Sequence, residues 1–148
     1  MIILELKYRT PSVTQLHQVD DILSHQGRLN SMDIIELDNI ISANIRIKVN
    51  NFEATLSIGL IYLWRNLNIL AKQLRLSGSG VFEYDSSPPA LIYKVIDSDR
   101  LWLAIDSYGT VVAEEEVNLK EFEAMLQSRL GDIAATLRNI DEKLLELL

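Results

Sequence analysis

The chain contains no cysteine. Thiol catalysis, disulfide staples and zinc ribbons are excluded together, and the composition suits a reducing compartment. There is also no run of 18 uncharged apolar residues. The nearest approach, residues 56–76, is broken by Arg65, Lys72 and Arg75, so no membrane span is expected. The stretch Met1-Ile2-Ile3-Leu4-Glu5-Leu6-Lys7 lacks a basic lead-in and a long apolar core, which argues against a signal peptide and for a cytoplasmic location. No internal repeat and no low-complexity tract occurs. Gly78-Ser79-Gly80 follows a helical pattern instead of opening one, the wrong order for a dinucleotide loop. Neither a GxSxG elbow nor a kinase signature is present. No calcium loop registers, because none of the acidic clusters has the central glycine and terminal glutamate that such a loop needs.

What is present is an ordinary globular composition, with 48% apolar residues. The expectation is a single domain over 1–148. A chain of this size buries roughly 68–70% of its unfolded surface and needs no metal or disulfide to fold. Its charge is one-sided. Residues 1–96 carry nine acidic and nine basic side chains, whereas residues 97–148 carry twelve acidic and five basic ones. The entire net charge of −7 therefore comes from the last third. Between Asp97 and Glu123, eight carboxylates face only Arg100 and Lys120. Such a field steers a cationic partner and repels nucleic acid.

Hydrophobic periodicity predicts the elements. Ile2, Leu4 and Leu6 alternate with Ile3, Glu5 and Lys7 as a strand. Val13, Leu16, Val19, Ile22 and Leu23 then recur at helical spacing over about 12–26, with Gly27 as a stop. Residues 28–39 fit either a short strand or an irregular cover. Ile45, Ile47 and Val49 alternate with Arg46, Lys48 and Asn50 as a half-buried strand, closed by Asn50-Asn51. From about 53 to 76 a helix is expected, with Leu56, Leu60, Leu63, Leu67, Leu70 and Leu74 in one stripe. Ile58, Ile61 and Ile69 lie roughly opposite that stripe. They need a cover, either the helix at 12–26 or a second molecule.

Four short strands are expected at about 81–85, 90–96, 100–106 and 110–116. The turns between them are too short for helical crossovers, which implies an antiparallel meander. In the third, Leu101, Leu103 and Ile105 share one face and Trp102, Ala104 and Asp106 the other. A last helix starts at the N-cap candidate Asn118, with Glu121 at N3 and Val117 and Phe122 placed as a hydrophobic staple. Carried to the C-terminus it would be about 45 Å long, too long for a domain with a radius of gyration of about 15 Å. It must break, near Gly131 or Asn139, or its end must project. The fold expected is α+β, a mostly antiparallel sheet of five or six strands packed against two main helices, with a shorter N-terminal helix.

Candidate chemistry is sparse. His17, Asp21 and His25 recur at i, i+4 and i+8, but the histidines are about 12 Å apart along a straight helix. One zinc ion, bound at roughly 2.0–2.1 Å, does not reach both. A solvated face is the plainer reading, and no metal site, cofactor or catalytic residue is assigned. Glu114 and Glu116 share a strand face while Glu115 points away. Trp102 is either packed at an edge or an exposed anchor beside these acids. Arg65, Lys72 and Arg75 share part of a helix face, too few cations for a nucleic-acid site.

From residue 45 onward the layout resembles a known group. A strand ends in Asn50-Asn51-Phe52, and the helix Leu60-Ile61-Tyr62-Leu63-Trp64 follows. Then come Leu91-Ile92-Tyr93, Leu101-Trp102-Leu103-Ala104-Ile105, an acidic strand end, and Val117-Asn118-Leu119-Lys120-Glu121-Phe122. This order, over about two thirds of the chain, resembles small bacterial immunity proteins encoded beside polymorphic or contact-dependent toxins. The resemblance implies a non-enzymatic cytoplasmic protein that neutralises a toxin domain, such as a cationic nuclease. The candidate partner contacts are Asp97, Asp99, Trp102, Asp106, Glu114 and Glu116. The alternative is a self-associating adaptor, a homodimer held through Ile58, Ile61 and Ile69 or through the end of the C-terminal helix. Neither reading calls for nucleic acid or a membrane.

Overall fold

The structure is a computed structural model and describes residues 3–24, 29–85 and 88–148. The elements are β1 (Ile3–Tyr8), α1 (Val13–Leu23), α2 (Ser31–Ile40), β2 (Ser42–Val49), β3 (Phe52–Gly59), α3 (Leu60–Leu76), β4 (Ser79–Phe82), β5 (Ala90–Val95), β6 (Arg100–Ser107), β7 (Thr110–Asn118), α4 (Leu119–Ile140) and α5 (Leu144–Leu147). The class is α+β. The strands form two antiparallel sheets, β1-β2-β3 and β4-β5-β6-β7, where one sheet of five or six was expected. The sheets meet without a shared ladder. The β2–β3 turn abuts β7: the Asn50 N–H donates to Glu115 Oε1 at 2.8 Å, and Asn50 Nδ2 donates to the Glu114 carbonyl at 3.3 Å.

Two more expectations are corrected. Residues 53–59 are strand, not the start of a helix. Phe52, Ala54, Leu56 and Ile58 are covered while Glu53, Thr55 and Ser57 are exposed, a period of two that places one face on the core. Leu56 and Leu60 sit four apart by coincidence, across a strand–helix boundary at Gly59. Residues 31–40 are helix. Asn30 and Asp33 form a reciprocal capping box: the Asp33 N–H donates to Asn30 Oδ1 at 2.8 Å and the Asn30 N–H to Asp33 Oδ2 at 3.0 Å. Two orphan N–H groups are thereby satisfied, which is enough to start a helix of weak amphipathicity.

The leucine stripe of α3 is buried as expected, at Leu60, Leu63, Leu67, Leu70 and Leu74. Each such side chain contributes about 1.5–3 kcal/mol relative to exposure. Leu4 and Ile47 from the first sheet, Phe82 and Leu91 from the second, and Leu67 and Phe122 from the helices line one small internal void. The apolar faces of both sheets thus close on α3 and α4. The expected cap of α4 is present, with the Glu121 N–H donating to Asn118 Oδ1 at 3.0 Å. That helix runs through Gly131 and stops at Ile140. Asp141 turns the chain, accepting from Lys143 N–H at 2.8 Å. Leu144 folds back into the core, fully buried. No helix among the described residues is long and apolar enough to cross a membrane.

Candidate interaction face

The β6–β7 register places Trp102 opposite Glu116 and Ala104 opposite Glu114. Directly opposite residues of an antiparallel pair point to the same side. Trp102, Asp106, Glu114 and Glu116 therefore share the outer face of the second sheet, while Leu101, Leu103 and Ile105 are buried on the inner one. Glu114 and Glu116 are exposed and Trp102 is half-exposed. Its indole Nε1–H donates to Glu114 Oε2 at 3.3 Å, a tie to the acidic side chains of the same face. Glu115 points inward to Asn50, as the alternation predicts. Lys94 of β5 lies opposite Trp102 on its other side, and Val81 of β4 is 49% exposed on the same face.

Asp97 and Asp99 lie off the face, in the β5–β6 turn. The Asp97 carboxylate accepts from Asp99 N–H at 3.0 Å and Arg100 N–H at 2.9 Å, a side-chain turn of the kind short polar residues favour. Arg100 joins this turn to the sheet face. Its Nε is 2.8 Å from Asp97 Oδ2 and its Nη1 3.5 Å from Glu116 Oε2. The backbone N–H of Asp99 and then the Arg100 guanidinium hold the Asp97 carboxyl below the usual range. Arg100 thus neutralises part of the acidic end that sequence alone assigned to the face. All of these groups are exposed, so the pairs add little stability.

The negative field is cleaner toward the β6–β7 tip. No lysine or arginine occurs between Arg100 and Lys120. The register shifts between Ile105 and Asp106, so Val112 has no cross-strand partner. Val111 and Val112 are 43% and 53% exposed, and Tyr108 at the tip is 82% exposed. From the sequence Tyr108 registers only as a large aromatic within a turn, and neither valine stands out. The only hint was the turn Ser107-Tyr108-Gly109.

The other candidates separate. Ile58 lies in β3 and Ile61 in α3, and both are buried, at 6% and 0% exposure. Only Ile69 of that trio is exposed, at 48%. The expected self-association strip does not exist as a surface, because the segment bearing Ile58 is strand, not helix. Among the described residues no group of three metal-binding side chains converges. His17 and Asp21 are exposed on α1, and His25 lies outside the described residues.

The most perturbed carboxyl is Asp38, on α2. Its oxygens accept from Ile61 N–H at 2.8 Å and Tyr62 N–H at 3.2 Å, capping α3 from a different helix. Burial pushes it up to about 6, against the opposing pull of those two N–H groups and Arg65. Gly59, the residue before α3, offers no side-chain cap. A Cβ there would collide with the Asp38 carboxylate. The adjoining open cleft of about 260 Å³ includes Tyr62 and Tyr84. Its central carboxylate is already committed to the helix terminus, which makes this a structural feature.

Comparison with protein-family models, with curated proteins and with solved structures gave no match.

Proposed function

We propose that this chain is a non-enzymatic, cytoplasmic inhibitor of the immunity type, which binds and neutralises a cationic bacterial toxin domain. One observation carries the reading. Trp102, half-exposed, is bracketed by Glu114 and Glu116 on an open sheet face, in a hairpin whose one cation, Arg100, lies at the end away from the tip and is paired with Asp97 and Glu116. Acidic side chains on a rigid sheet stand where the phosphates of a nucleic acid would sit on a nuclease. They speed encounter through long-range attraction, and the buried aromatic then sets the residence time. The contact set is Trp102, Asp106, Glu114 and Glu116, with Asp97 and Asp99 at its rim. No cofactor and no metal enter this reading.

Low-salt capture from the native lysate, using the wild type and a variant with Asp97, Asp99, Glu114 and Glu116 all changed to lysine, tests the proposal. One basic protein should be retained by the wild type in a stoichiometric complex. It should be lost with the variant and weakened as salt shortens the Debye length from about 30 Å at 0.01 M to about 8 Å at 0.15 M. Retention of the same protein by both forms would overturn it.

A further inference from the structure

The β6–β7 connection has two central residues, since Ser107 pairs with Thr110. Both central residues have positive φ, 53° at Tyr108 and 85° at Gly109, the signature of a type I′ turn. Asn-Gly, Asp-Gly or Gly-Gly would fill that turn at little cost. Tyrosine is sterically disfavoured at positive φ. No packing offsets the conformation, because the side chain is 82% exposed. The turn is held in place, with the Gly109 N–H donating to Asp106 Oδ2 at 3.3 Å. An exposed aromatic kept in a disfavoured backbone state points to a role for the side chain itself.

The surroundings define what it fits. The same hairpin end carries exposed Val111 and Val112, with Asp106 opposite Val111 and Glu114 further along β7 on the outer face. A second copy would bring like charges together, and nucleic acid or an anionic lipid surface would be repelled in the same way. A cationic protein cleft has the opposite charge and can receive a rigid amphipathic ring. We infer that Tyr108 is the anchor by which the hairpin tip enters a basic cleft of the partner protein, its ring stacked on an arginine or lysine side chain. This rests on the inhibitor reading and assigns its aromatic contact to the tip in addition to Trp102. Arginine is the favoured counterpart, because its planar guanidinium stacks on a ring face while ammonium is a compact, strongly hydrated charge.

The test uses the purified full chain, ¹⁵N-labelled and titrated at low salt with hexa-arginine, then with hexa-lysine. The Gly109, Thr110 and Glu114 amides should shift with hexa-arginine, and hexa-lysine should bind more weakly. Tyr108→Asn restores a favoured turn pair, so its thermal midpoint should not fall, while its affinity for hexa-arginine should drop about fivefold. Tyr108→Phe should retain the affinity. If Tyr108→Asn binds as the wild type does, while Glu114→Lys with Glu116→Lys abolishes binding, the anchor is refuted and the acidic face stands. If the wild type does not bind, or that double variant binds undiminished, the acidic-face reading fails and the anchor with it. Equal affinity for the two peptides would reduce the tip to charge alone. Concentration-dependent self-association lost in Tyr108→Asn would assign the tip to a second copy instead.

Discussion

Asp38 and Tyr84 show how far a single side chain departs from what its sequence neighbours suggest. Asp38 sits among Glu36, Leu37 and Asn39 and reads as an ordinary solvated acid. Its folded environment makes it the cap of α3. Asp38→Ala should cost about 1–2 kcal/mol, the usual range for losing a helix cap, read from denaturant unfolding. Its carboxyl rises from an ordinary 3.8 to about 6 on folding. The folded chain therefore binds this proton more readily than the unfolded chain does. Its contribution to stability is full below about 4 and is lost as pH rises through about 6. Asp38→Asn should flatten the thermal midpoint across that window. Among the described residues the buried Tyr84 hydroxyl has no hydrogen-bond partner, and burial pushes that hydroxyl up to about 12. Tyr84→Phe keeps the ring and removes the unpaired group. It should stabilise the protein by about 1 kcal/mol in the same assay.

At the scale of elements, the decisive boundary is Gly59. Before it the chain alternates as β3, and after it the chain winds as α3. The glycine admits Asp38 against the first turn, which no residue with a Cβ would do without displacement. Ile61, one residue inside α3, is completely buried. Ile61→Asp therefore puts an unpaired carboxylate into the core. It should unfold the chain instead of separating subunits, with loss of helical circular dichroism at every protein concentration. Retained ellipticity together with a change in mass on sizing would contradict that expectation. A comparable boundary ends α4. Asp141 and the return of Leu144 to the core shorten a helix whose apolar repeat alone runs to the terminus.

Across the whole molecule, the two sheets are joined by close packing on α3 and α4 and by polar contacts that include those of Asn50 with β7. Asn50 has φ of 51°, so glycine fits the turn and isolates the side-chain contribution. Asn50→Gly should cost about 1 kcal/mol, the net worth of one hydrogen bond. It should also speed amide exchange in β7 around Glu114 more than in β5. Uniform acceleration across both sheets would show that the contact does not couple them. The alternation of β7 turns Glu115 toward this contact and leaves Glu114 and Glu116 outside.

Local pattern determined much of this protein. The alternation of Ile45, Ile47 and Val49, the leucine stripe from Leu60 to Leu74, the four-strand meander and the Asn118 cap all depend on neighbours a few residues away, where the periods of strand and helix are distinct. The alternation of Glu114 and Glu116 with Glu115 was legible for the same reason. Tertiary structure decided the rest. The segment from Phe52 to Gly59 pairs with β2 because that pairing buries one face, although Leu56 continues a helical spacing. Arg100 lies between Asp97 and Glu116 because strand register brings residues sixteen apart together. Tyr108, Val111 and Val112 are exposed at the tip of a hairpin whose register shifts between Ile105 and Asp106. Pairing partners and burial are long-range quantities, and a period of two or of 3.6 residues contains neither of them.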